Sequence, residues 1–218
     1  MRRLYPDLWQ TAQQKQFSTL TVHAYLLDRP VGNALFYNPR SSGDFAAVAD
    51  LGGITHHYLS HCHEVGDGLP GVAERFDSKL CCHAGMEPYL ANTMPADVYF
   101  DSPDRELHAG GVEVIHTPGH TDNSVCYRYR SPHGRTYLFP GDTLYLDHGE
   151  WATLVVSQDG GNRRDLARSL ALLRTLDVDV IICSVSIGDM KIVEVTRPEW
   201  WRIIDDLMRR LAISNHQA

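Results

Sequence analysis

Three short segments constrain this chain more than any other part of it. His61-Cys62-His63 closes the apolar run ITHHYLSH (54–61), His120 sits in TPGHT behind VEVIHT (112–117), and Asp142 sits in PGDTL at the end of RTYLFPGD (135–142). Each segment puts an imidazole or a carboxylate at the C-terminal end of a strand-like run. His63 and His120 are 57 residues apart, and Asp142 follows 22 residues later. No local turn spans such separations, so these groups meet only if the fold gathers several strand ends at one edge.

The chemistry of the three segments agrees. Two histidines either side of one residue both point inward when the backbone curls after a strand. Three imidazoles and a carboxylate form a natural donor set for Zn²⁺ or another borderline first-row metal. Gly141, just before Asp142, permits close backbone approach. Twelve histidines in 218 residues is a high count, but position rather than number makes the case. His56 and His57 read as strand residues, one facing inward and one outward. His83, behind two cysteines, fits no ligand spacing and reads as structural, and Cys62 reads as a small filler between the two histidines.

Runs of strand type occupy the first half: TLTVHAYLLD up to Asp28, NALFYN (33–38), the 54–61 run and KLCCHA (79–84), with GVAERF (71–76) as a short helix. SVCYRYR (124–130) and the buried run VDVIICSV (178–185) continue the pattern. A helix begins at the N-cap Asn162 with Leu166, Leu170 and Leu173 on one face. A last helix starts at a Thr196/Glu199 capping box with Pro198 in its first turn. Trp200 and Trp201 on that helix are expected to pack against a sheet. Strands first and helices later predict an α/β layered domain with two sheets and outer helices, a single domain over 1–218.

Taken together, H-x-H at a strand end, a distant TPGHT and then PGDTL resemble the metallo-β-lactamase superfamily, which includes glyoxalase II and lactonases. The resemblance covers roughly residues 18 to 190 and implies a four-layer αβ/βα sandwich. It also implies metal ligation by His61, His63 and His120 with Asp142 beside them. The chain departs from the superfamily pattern in two places. Val65 and Gly66 stand where the superfamily has Asp-His, and ICSVSIGDM has no counterpart of its late histidine. Asp189 is the residue nearest that histidine's place, either a substitute ligand or a turn former.

One metal is therefore expected rather than two, zinc first and iron as the alternative. What the resemblance implies is a metal-dependent hydrolase acting on the ester, thioester, lactone or amide carbonyl of a small molecule. Asp142 would orient the water, and Glu64 or Asp67 would substitute as base if their loop turns inward. The alternatives are a mononuclear iron enzyme oxidising sulfur, through His61, His120 and Asp142, and a catalytically silent metal- or partner-binding domain.

Composition bounds the rest. A net charge of -7 without runs of like charge disfavours nucleic acid as a partner. No apolar stretch approaches the roughly 18 residues of a membrane helix. The N-terminal MRRLYPDLWQ lacks the apolar segment of a secretory signal, and five cysteines without C-x-x-C spacing read as reduced thiols. A cytoplasmic protein is expected.

Overall fold

The computed structural model describes residues 1–16, 19–103, 105–189 and 192–213. Its centre is a pair of β-sheets packed face to face, with helices on both outer surfaces. The first sheet has seven strands, in the spatial order Arg2–Tyr5, Leu8–Gln10, Tyr25–Leu27, Ala34–Phe36, His56–Tyr58, Lys79–His83 and Val98–Phe100. The second has six: Arg105–His108, Val112–His116, Val125–Arg130, Thr136–Phe139, Val180–Ile181 and Val193–Glu194. A smaller five-stranded sheet runs Glu150–Ala152, Tyr145–Asp147, Val185–Ile187, Leu20–Val22 and Gln14–Gln16.

Strand periodicity builds the layers. Successive side chains of a strand point to opposite faces. Tyr25, Leu27, Ala34 and Phe36 accordingly enter the space between the sheets, while Leu26 and Leu35 face the outer helices. In the second sheet Val114, Tyr127 and Phe139 point inward, and Ile115, Cys126 and Leu138 point outward. Phe36 and Phe139 stack across the inter-sheet gap with ring centroids 3.9 Å apart.

Helices α1 (Phe45–Asp50), α2 (Gly68–Phe76) and α3 (Glu87–Leu90) cover the first sheet. Helices α4 (Arg163–Arg174) and α5 (Arg197–Ile213) cover the second. The Asn162 side chain accepts from the Asp165 amide and caps α4, whose Leu166, Leu170 and Leu173 are fully buried. At the start of α5, Glu199 accepts from both the amide and the hydroxyl of Thr196. Trp200 is buried in one cluster with side chains of the second sheet and of α4, and Trp201 packs against that cluster. Their indole N–H groups donate to the Leu173 and Arg174 carbonyls at the helix end, groups that lack intrahelical partners.

Two of the long apolar runs do not form single strands. The run ending at Asp28 breaks at His23-Ala24, with Leu20–Val22 in the small sheet and Tyr25–Leu27 in the first. The run 178–185 breaks in the same way, with Val180–Ile181 in the second sheet and Val185–Ile187 in the small one. A chain that changes sheets has no reason to change composition, so neither break is marked in the sequence. These transfers bring residues 22 and 185 side by side at the sheet edge where the candidate ligands gather. Among the described residues no helix is long and apolar enough to cross a membrane.

Candidate metal centre

His61 extends the strand His56–Tyr58 and is the N-cap of a 3-10 turn, Cys62–Glu64, that carries His63. His120 is delivered by the turn after Val112–His116. That turn lies against the start of α4, because Gly119 has φ +141° and a Cβ there would sit 2.3 Å from the Leu166 Cα. Asp142 follows Thr136–Phe139. The three imidazoles meet with ring centroids 4.9 to 5.2 Å apart and ring planes 79° to 86° to one another. One nitrogen from each lies within 4.8 Å of the others. Asp142 Oδ2 is 3.5 Å from His61 Nε2 and 3.9 Å from His120 Nε2.

The outer hydrogen bonds fix which nitrogen of each ring carries the proton. His120 Nδ1 lies 2.9 Å from the Leu154 carbonyl, which can only accept, so this nitrogen donates. His63 Nε2 lies 2.9 Å from a carboxylate oxygen of Asp159 and donates to it. Ser60 Oγ gives its proton to Glu64 at 2.7 Å, so His61 Nδ1, 3.0 Å away, donates to Ser60. The opposite nitrogen of each ring then presents a lone pair to the centre. His120 Nε2 and His63 Nδ1 face each other at 3.3 Å, and His61 Nε2 is buried without a hydrogen-bond partner. Three converging lone pairs, one of them orphaned, call for a cation.

Electrostatics point the same way. Burial alone would depress the His61 pKa, but the neighbouring Asp142 carboxylate outweighs it and raises it. Burial would likewise raise Asp142, yet His61 and a 2.5 Å hydrogen bond from Ser184 hold its carboxyl far below the usual range. His120 is driven down to about 4 by burial and by His61. Burial pushes Glu64 up to about 7, against the pull of His61 and Ser60. The site thus favours positive charge beside Asp142, which a proton on His61 or a bound cation can supply.

A cavity of about 340 Å³ opens over these groups, within the usual size range for small-molecule sites. Leu20, Val22, Leu154, Val156 and Val185 give it apolar walls, and Arg40 lies on its lining. Glu64 also reaches the cavity, but Ser60 occupies both its oxygens, through the amide at 2.8 Å and the hydroxyl. Asp67 and Asp189 are exposed and outside this lining, so the structure does not bring them to the three histidines. His83 stacks on His116 at 4.4 Å, away from the triad. Ser60, Ser184, Asp159 and Tyr37 have no signal in the sequence strong enough to mark them. Tyr37 adopts φ +68° and its hydroxyl is pinned between the Gly141 amide and the Ile182 carbonyl.

The model of the metallo-beta-lactamase superfamily matches residues 50–185. A hydroxyacylglutathione hydrolase of Hydrogenovibrio crunogenus is 25% identical over 157 residues, covering 71% of this chain and 52% of that protein. An uncharacterised protein of Mycobacterium tuberculosis is 28% identical over 194 residues, covering 75% of this chain and 84% of that one. The chain spans about half, or a third, of the length of the hydroxyacylglutathione hydrolases it matches. A solved metallo-beta-lactamase from Cronobacter sakazakii, a mutant of its HARLDQ motif, is similar with a TM-score of 0.68 and 16% identity. That likeness covers 99% of this chain and 98% of that one, and it shows the fold alone. With residues 50–185 matching the family model and the layered sandwich complete around them, this chain belongs to the metallo-beta-lactamase superfamily.

Proposed function

We propose that the chain is a metal-dependent hydrolase. His61, His63 and His120 hold one ion beside Asp142, zinc first and iron as the alternative. The substrate is a small molecule with an ester, thioester, lactone or amide carbonyl. The observation that carries this reading is the convergence of three imidazole nitrogens, one of them buried and without a hydrogen-bond partner. The relatives named hydroxyacylglutathione hydrolase make glutathione thioesters of hydroxy acids the first substrates to try.

A zinc ion so held supplies an acidified water and a polarised carbonyl near neutral pH. The side chains do the rest. Ser184 holds one oxygen of Asp142 and leaves the other turned toward the histidines, ionised, to accept a hydrogen bond from the attacking water and orient it. Glu64, with both oxygens engaged by Ser60, supports His61. The apolar walls exclude bulk water from the reacting carbonyl. Arg40, which makes no ion pair among the described residues, is placed to bind an anionic group of the substrate. The five cysteines are buried and unpaired, which supports a reducing, cytoplasmic setting.

The test is metal analysis of protein purified without added metal, with turnover measured on a thioester panel. His120→Ala is expected to lose one ion per chain together with turnover. Arg40→Ala is expected to raise KM for anionic substrates about tenfold or more with kcat unchanged, as for a lost charge-assisted hydrogen bond. Wild-type protein that neither contains nor takes up metal would overturn the reading.

A further inference from the structure

His63 has two faces, and only one of them looks into the cavity. Its Nδ1 faces His120 Nε2, whereas Nε2 points the other way, to Asp159 Oδ2 at 2.9 Å. The thiol of Cys62 lies close to this pair. One donor atom each from Cys62, His63 and Asp159 lies within 4.8 Å of the other two. The second oxygen of Asp159 accepts from the Tyr89 hydroxyl at 3.3 Å, so both carboxylate oxygens are engaged. The Cys62 amide donates to Asn123 Oδ1 at 2.9 Å, which anchors the backbone that carries the thiol. Three separate segments therefore converge here: the turn Cys62–Glu64, the turn Ser157–Asp159 and helix α3.

We propose that Cys62 Sγ, His63 Nε2 and Asp159 form a second binding site for a thiophilic divalent cation such as zinc, lying behind the catalytic pocket. The proposal rests on the reading of His63 Nδ1 as a ligand in the pocket, so that one imidazole serves both ions. Thiolate, imidazole and carboxylate are the donor types zinc takes, and three protein donors leave a fourth position for water. An orienting role for Asp159 explains its hydrogen bond to His63. The neighbouring residue of the same turn adds a buried thiol as the third donor. Binding displaces two protons, one from the Cys62 thiol and one from His63 Nε2, so affinity for the second ion rises with pH.

Cobalt(II) titration of the metal-free full chain, followed by absorption, tests this. Wild type is expected to bind two equivalents, one of which brings a thiolate-to-cobalt charge-transfer band in the near ultraviolet. Cys62→Ser should lose that band and one equivalent while keeping the other. Asp159→Asn should lose the same band and equivalent, and it serves if the serine variant fails to fold. His120→Ala should lose the pocket equivalent and keep the band. One equivalent without a thiolate band in wild type, lost in His120→Ala, would overturn the second site and leave the pocket reading standing. No cobalt bound at all would overturn both.

Discussion

Replacing His57 with glutamine should flatten the acid limb of the protein's stability curve. His57 is 2% exposed, and its Nε2 lies 3.0 Å from the Tyr37 carbonyl, so the ring is a neutral donor. Burial lowers its pKa from 6.5 to about 4. The unfolded chain therefore binds a proton at His57 at a higher pH than the folded chain does, and stability falls as pH drops from 6.5 toward 4. Above pH 7 this contribution is fully present. At pH 4.5 the linkage relation gives a loss of about 2.5 kcal/mol for this one residue, on the order of a sixth to a half of a typical domain's stability. Glutamine can keep a donor toward Tyr37 and does not titrate. Urea unfolding of both proteins, stripped of metal, at pH 7.5, 6.0 and 4.5 measures the difference. The variant should be less stable at pH 7.5 by up to about 2 kcal/mol for the imperfect fit, and the gap should close or reverse by pH 4.5. A gap that stays constant to within about 0.5 kcal/mol across that range would refute the assignment of His57 as the buried neutral group.

Two further changes probe the pocket. Ser60→Ala removes the acceptor that fixes His61 Nδ1 and should weaken metal binding about 10- to 100-fold, read by competition with a chelating dye. Gly141→Ala places a Cβ 2.4 Å from Ser60 Oγ at a backbone φ of +56°. The handedness penalty of roughly 1–2 kcal/mol and the clash add to about 2–4 kcal/mol of destabilisation, measurable by urea unfolding, with metal affinity falling because Ser60 must move.

The residues that meet at the centre were legible because each ends a strand-like run and has few plausible neighbours of its own kind. HCH, TPGHT and PGDTL carry the three histidines and Asp142 to one point. Their supports were not legible, for physical reasons. Ser60 and Ser184 are small polar residues inside apolar runs, where nothing in the periodicity separates a useful hydroxyl from a tolerated one. Asp159 lies 96 residues from the histidine it bonds, and only the folded chain pairs them. Asp67 and Asp189 matched the expected neighbourhood along the chain, but they sit on exposed segments outside the cavity. The layered architecture was readable from the order of strands and helices. The switches between sheets at 23–24 and 182–184 were not, because buried strands in either sheet want the same side chains.

Those switches divide labour within the pocket. The histidines and Asp142 hang from the ends of strands in the two large sheets, whereas Leu20, Val22 and Val185 belong to the small one. Selection or engineering can therefore reshape the small sheet's contribution to the wall, its length, bulk and polarity, while the donor geometry stays fixed. A hairpin exchanged in that sheet would retune which small molecule fits the cavity and leave the three histidines and Asp142 where they are. The fold keeps its tool and its handle on separate pieces.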